Sequence, residues 1–194
     1  NKTYNAIGYN PKDNFIYGLY GRELLKIDSN GTVDSLGNVQ GLPSYQLYSG
    51  TFDKNGYYYV GGKYNEDDPN IYKIDISQRK VIQTITMSEH MIVYDFAFSK
   101  DGNYLYAIPP NGKFSKISIP DGNVTHIGQN HINYSFDAVF VDNEGRVFAN
   151  DSYGKGFFEF DPSTGEKFFL SSSQRAQLND GTNCPNASFI FTDF

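Results

Sequence analysis

Four polar residues occupy equivalent places along the chain and could supply oxygen atoms to one site. Each stands at the start of a short apolar run that contains small residues, as in Asp95-Phe96-Ala97-Phe98. Carboxylate oxygens are ligands that calcium prefers, so Asp95 and Asp137 could share a calcium ion. The alternative is that both aspartates accept hydrogen bonds from nearby backbone amides. The residues that we predict to bind a ligand are Asn5, Ser49, Asp95 and Asp137.

Short strands joined by tight turns must position these residues. Tyr94–Gly128 contains four runs of aromatic and β-branched residues, separated by Asp-Gly and Asn-Gly turns that are typical of hairpins. The pattern occurs four times, with spacings of 43, 46 and 42 residues between the aligned residues Tyr9, Phe52, Phe98 and Phe140. A period in the low forties with four strands per unit is typical of propeller blades. We therefore predict an all-β propeller of four-stranded antiparallel blades, with the four polar residues at the mouth of its channel.

The repeats extend over most of the chain and predict a single domain, residues 1–194. The predicted blades are residues 5–47, 48–92, 93–133 and 134–170, and residues 171–194 form a tail. Ala187–Phe191 could be one further strand, which gives four blades and an incomplete fifth. Because an unfinished ring leaves strand edges open, further strands from outside this chain are expected to complete it.

Composition and charge disfavour several functions. The formal net charge is −6 without a run of Lys or Arg, which argues against nucleic acid as a partner. No apolar stretch reaches 18 residues, so no membrane span is predicted. His90, His126 and His131 lack metal-ligand spacing, and neither a nucleophile elbow nor a phosphate-binding Gly-rich loop is present. No catalytic residue is predicted, and calcium is the only cofactor considered.

Asn-X-Ser/Thr sequons are frequent and predict the compartment. Six occur in the chain, including one at Asn1, where chance would give roughly two or three. The alternative is that Asn, Ser and Thr simply concentrate in turns. We predict a secreted, extracellular glycoprotein, with glycans at Asn30, Asn123, Asn133, Asn150 and Asn186.

Motifs at both ends of the chain resemble an uncharacterised family of secreted and cell-surface β-propeller domains. The opening motif is Tyr4–Gly18 and the closing motif is Asn179–Pro185, with Leu25–Asp28, Gly41–Pro43 and Ala138–Phe140 between them. Members of that family usually carry another hairpin, with its own cysteine, before the position of Asn5. The resemblance implies that a second polypeptide, or a cleaved N-terminal segment, completes the ring and forms a disulfide with Cys184. It implies no activity.

Two functions of different classes remain. The first is a binding or structural module of the extracellular space that holds another protein or a glycan, which requires no catalytic group. The second is a metal-dependent hydrolase of the lactonase type, with a cation in the channel held by Asp95, Asp137 and Asn5. Ser49 weakens the second hypothesis. Of the four equivalent positions, it is the one that offers a hydroxyl group where a cation site would need a stronger ligand.

Overall fold

The structure, a computed structural model, describes residues 3–62, 68–176 and 180–189, and this part of the chain is built from β-strands and turns. Its strands form four four-stranded sheets, in each of which consecutive strands pair antiparallel. Within the described residues, no helix is long and apolar enough to cross a membrane.

The strands are as follows in chain order. The first sheet contains β1 (Asn5–Asn10), β2 (Phe15–Tyr20), β3 (Glu23–Ile27) and β4 (Val33–Asn38). The second contains β5 (Ser49–Phe52), β6 (Tyr58–Gly61), β7 (Asn70–Asp75) and β8 (Lys80–Thr86). The third contains β9 (Ala97–Phe98), β10 (Tyr104–Ala107), β11 (Phe114–Ser118) and β12 (Val124–Ile127). The fourth contains β13 (Phe136–Val141), β14 (Val147–Asp151), β15 (Gly156–Phe160) and β16 (Lys167–Ser171).

The four sheets are the blades of a β-propeller, as the repeats predict. The first strands of neighbouring sheets contact one another, β1 with β5, β5 with β9 and β9 with β13, so these strands are the innermost ones. Small residues at Ala6, Gly50, Ala97 and Ala138 suit this crowded centre. Burial decreases outward, from four buried residues in β6 to largely exposed β4 and β12.

Apolar side chains fill the space between adjacent blades. Leu19 of the first blade packs in one cluster with Tyr58 of the second, and Phe114 of the third packs with Phe160 of the fourth. All four of these side chains are fully buried. Burial of large aliphatic and aromatic side chains contributes roughly 1.5–3 kcal/mol each, so these layers between the blades hold the array together.

Residues 180–189 lie between the first and the fourth blade and contact both; we call this region the seam. On one side, the Ile7 amide donates a hydrogen bond to Asp180 Oδ2 at 2.8 Å. On the other side, the Asn143 amide donates to the carbonyl oxygen of Ala187 at 3.2 Å. The tail therefore occupies the place where the inner strand of a fifth blade would stand.

The tail is not a regular strand where it is described. Residues 187–189 do not form the predicted strand, and residues 190–191, the rest of that prediction, lie outside the described residues. Cys184 is a half-buried free thiol beside the Tyr9 hydroxyl. The additional strands and the disulfide partner expected from outside the chain stay predictions.

Candidate ligand-binding site

The predicted channel-mouth residues lie together at one end of the ring, where the inner strands begin, but they mostly bind the backbone. Asn5 Oδ1 accepts from the Ala6 amide at 3.0 Å, and the Ser49 hydroxyl donates to the Val93 carbonyl oxygen at 3.3 Å. Ser49 is fully buried. These two side chains fasten strand starts and leave little capacity for a ligand.

Asp95 joins two blades. Its Oδ1 accepts from the Phe96 amide at 2.8 Å, and its Oδ2 accepts from the Val139 amide of β13 at 2.6 Å. Burial raises the pKa of the Asp95 carboxyl well above its ordinary value, and the charge of Asp180 raises it further. The sequence did not single out Asp180, because Asn-Asp-Gly is a common turn motif.

Asp180 supplies a second carboxyl group to the centre of the ring. Its two oxygens accept from the amides of Ile7 and Gly181, at 2.8 and 2.9 Å. Burial raises the pKa of this carboxyl to about 8. Two carboxyl groups with raised pKa values and mutual repulsion favour protonation of at least one of them at neutral pH.

Asp137 is half-buried and lies in the β-bulge of β13, where it accepts from the Ser135 hydroxyl at 2.7 Å. Burial raises its pKa. Among the described residues, no group of three or more His, Cys, Asp or Glu side chains is arranged to hold a metal ion. The calcium site at Asp95 and Asp137 remains a prediction, with most of the Asp95 acceptor capacity already used by amides.

The channel itself is almost closed. The cavity between the inner strands measures only about 30 Å³ and is lined by residues of all four blades and of the seam. Blades one and two approach so closely that a Cβ atom on Gly50 would lie 1.9 Å from the carbonyl oxygen of Ala6. The same oxygen accepts a hydrogen bond from the buried Tyr58 hydroxyl. There is room here for about one water molecule, not for an organic ligand.

A much larger cavity opens at the opposite end of the ring, where the inner strands finish; we call it the bowl. Its volume is about 660 Å³, within the range of small-ligand sites. It is lined by the turns that follow the four inner strands and by Pro185 and Asn186 of the tail. Phe52, Phe98 and Val141 contribute apolar surface to it.

The turns around the bowl are built alike. Each reverses the chain at a residue with positive φ, Asn14 at 62°, Gly56 at 87°, Gly102 at 75° and Gly145 at 86°. Glycine adopts this conformation without steric cost, and asparagine tolerates it better than most residues. The glycine amides of the second, third and fourth turns donate to the carbonyl oxygen three residues before, whereas the Asn14 amide donates to that of Asn10, so the first turn is one residue longer.

A further cluster of polar side chains lies on the third blade. Ser115 and His126 face each other across β11 and β12, with Oγ and Nδ1 separated by 2.8 Å, and His126 Nε2 pairs with Glu89. His126 and Glu89 line a pocket of about 360 Å³. Ser115 is fully buried and donates to the Lys113 carbonyl oxygen, so it orients the imidazole instead of acting as a nucleophile. No sequence pattern indicates this cluster, because Glu89 lies in the connection between β8 and β9, far along the chain from Ser115 and His126.

The predicted glycosylation sites differ in exposure. Asn30, Asn123, Asn133 and Asn186 are exposed, whereas Asn150 is half-buried in β14 between Ala138 and Phe157. An oligosaccharide needs access to the asparagine amide and space beyond it. Exposure therefore favours the first four sites over Asn150, and glycosylation itself stays a prediction.

The architecture thus defines a β-propeller whose channel is almost closed and whose bowl opens where the inner strands finish. The chain belongs to the family DUF6923, described as a repeat of unknown function, which it matches over residues 1–186. No curated protein matches the sequence significantly.

Several solved structures share the fold. A gluconolactonase from Xanthomonas campestris is 14% identical with a TM-score of 0.63, over 88% of this chain and 63% of that one. Virginiamycin B lyase from Staphylococcus aureus is 13% identical with a TM-score of 0.59, over 84% and 54%. Hydrazine synthase from Kuenenia stuttgartiensis is 14% identical with a TM-score of 0.59, over 85% and 48%. The chain spans about half to two thirds of these proteins, and the likeness concerns the fold alone.

Proposed function

We propose that this protein is a binding module of the extracellular space that holds a glycan or another protein in the bowl. One observation carries the proposal: turns from all four blades and the tail converge on the bowl, a cavity of about 660 Å³. The cavity in the channel between the inner strands has a volume of only about 30 Å³. Ligand sites combine concave apolar surface with a few placed polar groups. Half-buried Phe98 provides the former, and Asn55, Asn103 and Asn143 line the cavity with polar groups.

Extracellular location and glycosylation are part of this proposal. Four of the five predicted sequon sites are exposed, so the folded protein has room for a bulky glycan at each of them. A disulfide at the half-buried Cys184 thiol of the seam would fasten strands from outside this chain.

A blocking substitution tests the site. Asn55→Trp adds a bulky ring to an exposed turn residue of the bowl, and Asn38→Trp adds the same ring to the exposed end of β4 as a matched control. Each variant and the unchanged protein are applied to a printed array of neutral and acidic glycans and extracellular matrix proteins. We expect ligands that bind the unchanged protein and the control but not Asn55→Trp. Equal binding by all three proteins, or none by any, would contradict the proposal.

The second candidate is a metal-dependent hydrolase of the lactonase type. It is favoured by the fold shared with a gluconolactonase and by the carboxyl groups of Asp95, Asp137 and Asp180 near the axis. A calcium titration followed by calorimetry tests it directly. One tight site that disappears in Asp137→Asn, together with lactone hydrolysis, would favour the enzyme over the binding module.

A further inference from the structure

The bowl carries a specific arrangement of positive charge that goes beyond a general binding surface. In three of its four turns a lysine occupies the exposed middle: Lys12 in the first blade, Lys54 in the second and Lys100 in the third. In the fourth blade Asn143 lies at the corresponding place. Three lysines therefore stand around a common cavity, while the side-chain amide of Asn143 is engaged by the tail, where its oxygen accepts from the Ser188 hydroxyl at 2.6 Å.

The acidic residues of the same turns are occupied within the fold. Asp53 Oδ1 accepts from the amides of Asn55 and Tyr57, both at 2.9 Å. Asp142 accepts from the amide of Arg146 at 3.0 Å and from its guanidinium group at 2.7 Å. The charges of these two carboxylates are offset by cations within the fold, Lys73 at 3.9 Å from Asp53 and Arg146 at 2.7 Å from Asp142.

Asp101, the remaining carboxylate of the bowl, is satisfied in the same way. It accepts from the Ser99 hydroxyl at 2.6 Å and from the Asn103 amide at 3.0 Å. These bonds, led by the one from Ser99, hold the pKa of Asp101 below its ordinary value, so it stays a hydrogen-bonded carboxylate at neutral pH. Its hydrogen bonds lie within its own turn.

The three lysines have no such partners. Within residues 3–62, 68–176 and 180–189, no carboxylate lies within 4.0 Å of the ammonium group of Lys12, Lys54 or Lys100. The bowl thus presents unpaired positive charge on a chain whose formal net charge is −6. An anion that approaches these ammonium groups gains a Coulombic attraction.

Two of the lysine stems are held in place by the neighbouring blade. Lys12 Cγ lies 2.9 Å from the position that a Cβ atom would take on Gly56, so its stem crosses the bare backbone of the next turn. Lys100 lies in the same way over Gly145, with its Cβ atom 3.3 Å from the corresponding position. A stem that is already placed loses less conformational entropy when its ammonium group binds a ligand.

The apolar part of the bowl complements this charge. Half-buried Phe98 lines the cavity between the lysines together with Asn55 and Asn103, whereas Phe52 and Val141 are almost fully buried and add little accessible surface to it. Aromatic rings pack against the apolar faces of sugar rings, and amide groups exchange hydrogen bonds with hydroxyl groups. A volume of about 660 Å³ suits a short oligosaccharide.

We propose that the bowl binds an acidic oligosaccharide, whose carboxylate or sulfate groups pair with Lys12, Lys54 and Lys100. This inference rests on the proposed binding function and names the class of its ligand. Sulfate and carboxylate groups share the required charge, and the experiment below separates them.

Calorimetric titration with three probes tests the ligand class: a glucuronate-containing disaccharide, a sulfated disaccharide and a neutral disaccharide. The protein carries Asn186→Gln, so that no glycan of its own stands at the edge of the bowl. We expect at least one acidic probe to bind about tenfold or more tightly than the neutral one, with an affinity that falls as salt concentration rises. The tighter of the two acidic probes identifies the anionic group.

Charge-removing variants test the site. Single Lys→Gln changes at the three positions are expected to weaken acidic-probe binding by about threefold each, and the triple variant by about thirtyfold, since exposed ion pairs contribute modestly and additively. Lys100→Arg keeps the charge and should bind as the unchanged protein does. Lys80→Gln, on the exposed outer strand β8, is the matched control and should change nothing.

Two outcomes would overturn the inference. If neutral and acidic probes bind equally and Asn55→Trp abolishes both, the bowl is a binding site but not one for acidic sugars. If no probe binds, or if the triple variant binds acidic probes as tightly as Lys80→Gln does, the lysines are not a ligand site.

Discussion

Substitution of Gly50 by alanine tests the close approach of the first two blades. The added Cβ atom would lie 1.9 Å from the carbonyl oxygen of Ala6 and 2.4 Å from its carbonyl carbon. Ala6 cannot withdraw easily, because its amide donates to the Tyr48 carbonyl oxygen at 3.0 Å and its own oxygen accepts from Tyr58. Its φ of 57° is already in the left-handed region. The backbones must separate by more than about 1 Å, and we expect Gly50→Ala to lower the free energy of unfolding by about 3 kcal/mol.

The matched control is Gly18→Ala in β2. The nearest atoms to its added Cβ atom, on Asn5 and Tyr4, lie 3.4 Å away, which is ordinary van der Waals contact. An alanine in a strand loses less backbone entropy on folding than a glycine does, so this variant should lie within about 1 kcal/mol of the unchanged protein or be more stable. Urea unfolding followed by circular dichroism measures both variants.

A second substitution separates a local clash from a general loss of stability. Tyr58→Phe removes the hydroxyl that donates to Ala6 and should cost about 1–2 kcal/mol alone. If Gly50→Ala pushes Ala6 away, that hydrogen bond is already lost, and Tyr58→Phe should then cost less in the double variant. Gly50→Ala as stable as Gly18→Ala, or strict additivity with Tyr58→Phe, would refute the reasoning.

Three further predictions concern the seam and the surface. The pKa of the Asp180 carboxyl is about 8 in the folded state and near its ordinary value of 3.8 in the unfolded chain. The contribution of this group to the free energy of unfolding is therefore present at low pH and is lost as pH rises. Between pH 7 and pH 9 the unchanged protein should lose about 1 kcal/mol or more, and Asp180→Asn, which resembles the protonated form, should lose less; equal losses in urea unfolding would contradict this. His131, whose pKa burial lowers to about 4, is neutral over that range and does not interfere. Protein secreted by eukaryotic cells should lose mass on enzymatic deglycosylation, and an unchanged mass would argue against glycans on the exposed sequons. At least three of the following sites should carry glycans: Asn30, Asn123, Asn133, Asn150 and Asn186. Non-reducing electrophoresis should show a disulfide-linked partner that Cys184→Ser abolishes, and a single band near the chain's own mass with a readily alkylated thiol would exclude that partner.

The blades were predictable from the sequence because their determinants are local. Turns such as Lys54-Asn55-Gly56 and Asp121-Gly122-Asn123 stand where the chain must reverse, and aromatic runs lie between them. The period of the repeats then gives the order of the blades around the axis. The exposed lysines of the bowl occupy equivalent turns for the same reason, although only the closed array shows that their side chains share a cavity.

The centre of the ring was less accessible to sequence reasoning. Asp95 accepts a hydrogen bond from the amide of Val139, a residue of another blade that lies 44 positions further along the chain. No local pattern encodes this contact. Asp180 was interpreted as a turn residue, whereas its carboxyl group receives the amide of Ile7 from the other end of the chain. Long-range pairing of this kind follows from how the last segment returns to the first blade, which neither composition nor periodicity specifies.

The seam closes a ring whose first and last blades are joined through the tail of the chain. The amides of Ile7 and Tyr9 are held there by the side chains of Asp180 and Thr182, at 2.8 and 2.9 Å, and not by a backbone ladder. A force that pulls on the chain beyond Phe189 would break these side-chain hydrogen bonds one after another. The backbone hydrogen bonds between the strands of a blade would instead share the load. We therefore expect the ring to open at the seam under load before a blade unfolds.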